Sequence, residues 1–303
     1  MNIDLKTTND KKPVIFSDVD GTIYRLFDLK KEVIKDVEFA LSQGADFNIC
    51  TGNPVQQRMF WLIDELKANY LIGSSGAQIY DCKNSKIVKS WHINKSLVNE
   101  VVKIAKENNI QGFLWDDNQY FYLLEEKKIK NEVFEYHFLD DITRQNYPQL
   151  FIKDDFEAVK IELYNNDVAE DERYSNQMFE LFKHLENDLT IIITNYGLEI
   201  SPKGIDKGSA IKWMIENIYN QYDLKLEDVM AIGDSNNDVP MLQIVGYSYA
   251  MANSSKQALK SANYFTSSVE QNGLGEAVLD YLYRLKNIVK KYMLHEFENI
   301  ERK

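Results

Sequence analysis

Residues 13–22, Pro-Val-Ile-Phe-Ser-Asp-Val-Asp-Gly-Thr (PVIFSDVDGT), place two acids at the end of an apolar run. An apolar run followed by Asp and Gly is typical of a buried strand that ends in a turn. Side chains alternate along a strand, so Asp18 and Asp20 share one face at its carboxyl end. Two carboxylates this close repel each other unless a cation separates them or one is protonated. The stretch therefore indicates a Mg²⁺ site, and its plain alternative is a strand-ending turn.

The segments that follow alternate between helix and strand patterns. Apolar spacing predicts a helix over 29–43, a strand over 45–51, a second helix carrying Met59–Leu66 and a third strand from Tyr70. The same alternation returns between residues 211 and 266. This order indicates a parallel sheet with helices on both faces. We predict an α/β fold whose core is a Rossmann-like, doubly wound parallel sheet.

The middle of the chain has a different pattern. A unit of one helix and two strands is predicted twice, over 95–123 and over 172–201. We expect this region to form an inserted α/β cap domain over residues 85–201. The core domain would then consist of a first part, 1–84, and a second part, 202–303, that ends in an amphipathic C-terminal helix.

Composition excludes several classes of protein. The chain has 303 residues, is 44% hydrophobic and has a net charge of −12, so it contains enough apolar material for a folded core but no basic surface for nucleic acid. It has no apolar run of bilayer-spanning length, and Cys50 and Cys82 form no disulfide framework. We expect a soluble, cytoplasmic protein without nucleic-acid or membrane partners. Since the C-terminal helix is interpreted as packing on its own domain, we expect a monomer or weak homodimer.

A second group of acids follows another apolar strand. Residues 233–238 read Gly-Asp-Ser-Asn-Asn-Asp, so Asp234 lies at a strand end, where it could supply a further metal ligand. Asp238 precedes Val239-Pro240, and its plain alternative role is that of a helix N-cap. Ligands bind at the carboxyl ends of the strands in open parallel sheets. Four acids meeting at that edge are hard to explain without a metal ion.

Two further segments suggest an anion site. Thr51-Gly52 ends the second strand just before a predicted helix, where free backbone N–H groups attract anions. We interpret Asn53 as an ordinary helix cap ahead of Pro54. Lys207 opens a later helix, where its charge opposes the helix dipole, which suggests that it faces acids or a phosphate. Its plain alternative is a solvated surface lysine.

These motifs resemble those of a known family. The residues DVDGT at 18–22, Thr51-Gly52, Lys207-Gly208 and 233–238 occur in the order of the four motifs of the haloacid dehalogenase (HAD) superfamily. The predicted cap and the segments 250–253 and 272–273 are similar to those of its Cof-type subgroup, subclass IIB. The resemblance covers residues 13–282.

The resemblance implies a function and a set of roles. It implies a Mg²⁺-dependent phosphatase that hydrolyses small phosphorylated metabolites, such as sugar phosphates, through an aspartyl-phosphate intermediate. Asp18 would be the nucleophile, and Asp20 the general acid and then the base. The remaining implied roles are metal binding by Asp18, the Asp20 carbonyl and Asp234, support of the metal ligands by Asp238, and phosphate binding by Thr51, Gly52, Lys207 and Asn237.

Two alternatives stay open at this level. A phosphomutase, such as phosphomannomutase, shares the chemistry of Asp18 and Asp20, and a non-catalytic metabolite-binding regulator could use the same scaffold. Two positions also depart from the family pattern, because Asn53 stands where Arg is frequent and Ser75 where Asn is usual. Neither departure removes a catalytic group, but both bear on substrate contacts. The sequence does not identify the substrate.

Overall fold

The structure is a computed structural model that describes residues 11–55, 57–118, 120–123, 157–164, 172–194 and 196–286. In chain order, its strands are β1 (Val14–Ser17), β2 (Asp46–Cys50), β3 (Tyr70–Gly73), β4 (Gln78–Asp81), β5 (Lys86–Ser90), β6 (Gln111–Trp115), β7 (Tyr120–Tyr122), β8 (Lys160–Tyr164), β9 (Leu189–Ile193), β10 (Gly197–Pro202), β11 (Met230–Gly233), β12 (Tyr247–Ala250) and β13 (Tyr264–Phe265). Its helices are α1 (Lys31–Ser42), α2 (Gln57–Leu66), α3 (Lys95–Glu107), α4 (Glu172–Phe182), α5 (Lys207–Asn217), α6 (Val239–Ile244), α7 (Lys256–Ser261) and α8 (Gly273–Lys286).

The larger of two sheets has the strand order β13-β12-β11-β1-β2-β3-β4-β5. The strands from β13 to β3 pair in parallel, whereas β3, β4 and β5 pair antiparallel. Strand β1 lies in the interior between β11 and β2, and all four of its residues are buried. This position explains why β1 has three consecutive apolar residues, 14–16, instead of an alternation of apolar and polar residues.

Helices cover both faces of this sheet. On one face, Ile15 of β1 belongs to an apolar cluster with α1, α2 and α8. On the other face, Val14 and Phe16 belong to a second cluster with α5, α6 and α7. The predicted α/β fold with a doubly wound, Rossmann-like core is therefore confirmed.

The smaller sheet has the order β7-β6-β8-β10-β9, and all of its pairs are antiparallel. One face packs on α3 and α4, whose buried residues include Val101 and Phe182. The other face carries the buried aromatic residues Phe113 and Trp115. They cluster with Ala77, which directly precedes strand β4 of the larger sheet. This second face is therefore turned toward the loops of the larger sheet.

Some elements were not predicted, and some predictions lie outside the described residues. The hairpin of β4 and β5 was missed, and β5 pairs with β4 in the larger sheet although it falls within the range 85–201 predicted for the cap. The domain boundaries stay predictions. The apolar stripe of α8 is buried at Val278, Leu282 and Leu285, and the predicted extension of this helix past residue 286 lies outside the described residues. Among the described helices, none combines the length and hydropathy that crossing a bilayer requires.

Candidate active site

Three acids from two neighbouring strand ends lie close together. Strand β1 ends at Ser17, and the Asp18 N–H still donates to the Ile232 carbonyl at 3.0 Å, so the parallel pairing with β11 continues into the loop. Asp234 follows the end of β11 directly. Carboxylate oxygens of Asp18, Asp234 and Asp238 all lie within 4.8 Å of one another. The two strand ends therefore bring together three of the four acids that the sequence placed at this edge, whereas the fourth, Asp20, lies outside this cluster and accepts a hydrogen bond from Asn53.

Lys207 is the first residue of α5, and its side chain is 0% exposed. Its Nζ donates to Asp18 Oδ1 at 2.6 Å and to Asp238 Oδ1 at 2.5 Å. Burial alone would lower the pKa of Lys207, but the two carboxylates outweigh it and hold this pKa well above its ordinary value. The surface-lysine alternative is wrong, because Lys207 is a buried cation between two acids.

Asp238 shapes the loop that follows β11. Its Oδ2 accepts from the backbone N–H groups of Asp234 and Ser235, each at 2.9 Å, while its Oδ1 accepts from Lys207. The side chain makes no capping hydrogen bond to α6. The N-cap alternative is therefore wrong, and the carboxylate of Asp238 holds Asp234 and Lys207 in place.

The carboxylate of Asp234 is only partly hydrogen-bonded. Its Oδ2 accepts from Asn253 Nδ2 at 3.1 Å, whereas its buried Oδ1 has no hydrogen-bond partner in the described part of the chain. Burial and the charges of Asp18 and Asp238 raise the pKa of Asp234 well above its ordinary value, and burial and Asp238 likewise raise the pKa of Asp18 to about 7. A hard dication binds oxygen ligands and would offset this repulsion. The residues present therefore fit Mg²⁺.

Gly21 allows Asp234 to lie against the loop after β1. The backbone of Gly21 has a φ of +84°, and a Cβ at this position would lie 2.2 Å from Asp234 Oδ2. A side chain here would displace the Asp234 carboxylate and would also strain the backbone. This close contact and the positive φ explain why the DVDGT motif has a glycine at position 21.

Asn53 joins two of the predicted site residues. Its Nδ2 donates to Asp20 Oδ2 at 2.8 Å and to Thr51 Oγ1 at 2.9 Å. The prediction that Asn53 caps a helix opened by Pro54 is wrong, because α2 begins only at Gln57 and the amide turns back toward the strand ends. Sequence reasoning therefore missed Asn53 as a partner of Asp20, although its position beside Thr51-Gly52 was a usable signal.

The other two predicted phosphate ligands contact the smaller sheet. Asn237 Nδ2 donates to Glu199 Oε1 at 3.0 Å, and the Gly52 carbonyl accepts from Lys160 Nζ at 3.1 Å. Ser75 Oγ also donates to Glu199, at 2.6 Å. Lys160 and Glu199 were missed because no motif surrounds them, and the available signal was the charged residues within two buried strands, Lys160 and Glu162 in β8 and Glu199 in β10.

Comparisons with known proteins find a matching family model and similar folds. A family model described as haloacid dehalogenase-like hydrolase matches residues 15–278. The solved structure of a HAD subclass IIB sugar phosphatase superposes with a TM-score of 0.73 at 18% identity, covering 89% of this chain and 99% of that one. A haloacid dehalogenase-like hydrolase from Bacteroides thetaiotaomicron gives a TM-score of 0.69 at 20% identity, covering 89% and 99%. These structural likenesses show the fold.

Curated relatives are named as phosphatases. The 5-amino-6-(5-phospho-D-ribitylamino)uracil phosphatase YcsE of Bacillus subtilis is 26% identical over 274 residues, which are 88% of this chain and 94% of that protein. A phosphoglycolate phosphatase of Methanothermobacter thermautotrophicus is 30% identical over 95 residues, which span 31% of this chain and 41% of the relative's own length. The chain therefore belongs to the haloacid dehalogenase-like hydrolases, within their Cof-type group, and is a phosphatase.

Proposed function

We propose that the chain hydrolyses phosphate monoesters in two displacement steps. In the first, an Asp18 carboxylate oxygen attacks phosphorus, the ester P–O bond breaks, and the leaving oxygen takes a proton from the Asp20 carboxylic acid. In the second, the Asp20 carboxylate takes a proton from water, whose oxygen attacks the phosphorus of the aspartyl-phosphate. Orthophosphate leaves and the Asp18 carboxylate is restored.

Mg²⁺ would be held by Asp18, the Asp20 carbonyl and Asp234. When bound, it supplies positive charge that offsets the acids and the phosphoryl oxygens. Asp238 would support these ligands without binding the ion, since its own oxygens are occupied by Lys207 and two backbone N–H groups. Asp234 Oδ1 supports this assignment, because it has no hydrogen-bond partner among the described residues.

The phosphoryl group would be bound beside Lys207. Lys207 is a fixed, buried ammonium group that already contacts the proposed nucleophile, so it needs no rearrangement to stabilise charge on phosphoryl oxygens. Thr51, Gly52 and Asn237 would complete this site. The single observation that carries the proposed function is the buried Lys207–Asp18 pair beside the partnerless Asp234 oxygen.

The substrates we propose are small phosphorylated metabolites, most plainly sugar or polyol phosphates. The hydrolases named for the similar proteins act on small phosphate monoesters. The smaller sheet would serve as a cap over this edge, which its contacts to Gly52, Ser75 and Asn237 support. Closure of a cap would exclude water from the first step.

Trapping the covalent intermediate tests the two-step reaction. Reduction with borohydride during turnover should convert residue 18 into homoserine, which mass spectrometry of the peptide would detect. Orthophosphate should be released in step with substrate loss, whereas a phosphomutase would conserve organic phosphate. Absence of any modification at Asp18 during active turnover would contradict the proposed covalent mechanism.

Asp20→Asn should have an effect that depends on the leaving group. An amide cannot protonate the leaving oxygen, and general acid–base catalysis contributes about 10²–10⁴-fold, so formation of phospho-enzyme from a sugar phosphate should slow by about this factor. Formation from an activated phenyl phosphate should slow much less, because a phenolate leaves without protonation. Single-turnover kinetics with both substrates would measure the difference. Equal slowing with both would show that Asp20 is not the acid.

Removal of divalent metal should abolish turnover reversibly. Because Lys207 supplies one positive charge against three clustered carboxylates, a bound metal ion would offset the remaining repulsion, so chelation should also lower the unfolding temperature, and Mg²⁺ should restore both properties. Activity and thermal unfolding should be followed together across a Mg²⁺ titration. Full activity after exhaustive chelation would contradict the proposed metal site.

A further inference from the structure

Beside the proposed phosphate site lies a buried ionic cluster that the two-step reaction does not use. It consists of Lys160, Glu162 and Glu199, whose side chains are 0%, 8% and 15% exposed. Lys160 Nζ lies 2.5 Å from Glu162 Oε1 and 2.9 Å from Glu199 Oε2. Charged side chains are rarely buried to this extent away from a functional or specifying role, because their desolvation is costly.

The cluster adjoins the proposed phosphate ligands. A Cβ built on Gly52 would lie 3.3 Å from Lys160 Nζ, 3.4 Å from Ser75 Oγ and 3.5 Å from Asn237 Nδ2, so these three polar atoms converge on Gly52. Glu199 accepts a hydrogen bond from each of Lys160, Ser75 and Asn237. A phosphate ester bound at Gly52 and Asn237 would therefore lie next to Glu199.

The charge of the cluster is fixed and negative. One ammonium group faces two carboxylates, and Glu199 stays ionised. Burial would raise the pKa of Glu199, but Lys160 and the Ser75 hydroxyl outweigh burial and lower this pKa to about 2. The pKa of Lys160 is correspondingly raised, because the two carboxylates outweigh its burial. The N–H groups of Lys160 are already used by Gly52, Glu162 and Glu199, so the alcohol part of a substrate would meet the Glu199 carboxylate beside a cluster with a net charge of one negative unit.

We propose that Glu199 binds the leaving alcohol and selects electroneutral polyhydroxy leaving groups over those that carry a carboxylate or a second phosphate. A hydroxyl of the leaving alcohol can donate to Glu199, whose side chain is partly exposed, while the fully buried Lys160 holds Glu199 in place. An anionic leaving group would face Glu199 and Glu162 in a buried site, where like charges repel far more strongly than in water. This inference rests on the proposed function and narrows its substrate class.

Matched substrate pairs test the proposal. Glycerol phosphate ends in a hydroxymethyl group where phosphoglycerate has a carboxylate. Sorbitol phosphate and phosphogluconate differ in the same way but have six carbons. Wild-type kcat/KM should favour the neutral member of each pair by about tenfold or more, as a buried like charge implies. A wild-type ratio near one would overturn the proposal, and this measurement needs no variant.

Variants then assign the selectivity to Glu199. In Glu199→Gln the ratio within each pair should fall by about tenfold, because the amide removes the repelling charge but keeps the shape. Glu199→Asp should retain the preference for the neutral member. Glu180→Gln makes the same charge change at an exposed position of α4 and should leave the ratio unchanged. An equal ratio in wild type, Glu199→Gln and Glu180→Gln would overturn the assignment.

A phenyl phosphate assay separates this proposal from the one on which it rests. Release of phosphate from p-nitrophenyl phosphate without discrimination within the pairs would reject the selectivity and leave the phosphatase reaction intact. No release from any of these esters in the presence of Mg²⁺ would reject the proposed reaction, and the selectivity with it.

Discussion

Asp18→Asn should reduce phosphate release by about 10⁴-fold or more, because an amide cannot form the acyl-phosphate on which both chemical steps depend. The fold should survive this change. The Asn carbonyl oxygen can still accept from Lys207, and loss of one negative charge relieves repulsion with Asp234 and Asp238. The unfolding temperature without metal should therefore equal or exceed that of the wild type.

Steady-state phosphate release and thermal unfolding would be measured together for this variant. Asp64→Asn, the same change at an exposed position of α2, is the matched control and should leave activity unchanged. Asp18→Ala guards against activity recovered by deamidation of the new asparagine. Activity of Asp18→Asn near that of the wild type would show that another group is the nucleophile.

Lys207→Met should abolish turnover and should also destabilise the protein strongly. The side chain of Lys207 is fully buried between Asp18 and Asp238, so its removal leaves two buried carboxylates without their cation. Breaking a buried ion pair by removing one partner typically costs about 3–5 kcal/mol of unfolding free energy. Chemical denaturation would measure this loss.

A control on the same helix makes the test specific. Lys212→Met removes an exposed lysine of α5 that pairs with Glu216 at 4.0 Å, and it should change the unfolding free energy by about 0.5 kcal/mol or less. Adding Asp18→Asn to Lys207→Met should recover part of the lost stability, because one uncompensated charge is then gone. Similar destabilisation by Lys207→Met and Lys212→Met would contradict the buried-pair interpretation.

The larger sheet was predictable where short-range patterns decide the structure. An apolar run that ends in acids predicts both strand β1 and the carboxylates that follow it. Because the carboxyl ends of parallel strands lie at one edge of the sheet, the sequence also predicts that Asp18 and Asp234 are near each other. The hairpin of β4 and β5 was missed because its strands are mixed in polarity, with β5 exposed or half-buried along its length. Sequence patterns carry little information about such edge strands.

Contacts between distant segments account for the rest of what was missed. Asn53 was interpreted from the proline after it, whereas the position of Asp20, 33 residues earlier, decides where its amide points. Lys160 and Glu199 lie in two strands of the smaller sheet, and the contacts of these side chains with Gly52 and Asn237 connect them to the candidate site. The spacing of residues along the sequence predicts the strand in which a residue lies but not which distant residues pack against it.

The position of β1 between β2 and β11 also constrains how the protein is made. Ile15 pairs with Phe47, which is synthesised soon afterwards, and with Met230, which is synthesised far later. At about 5–20 residues per second, one edge of this buried strand waits on the order of tens of seconds for its neighbour. An uncovered apolar strand edge is a template for aggregation. Nascent chains released before β11 emerges would thus carry an open hydrophobic edge and be exposed to aggregation.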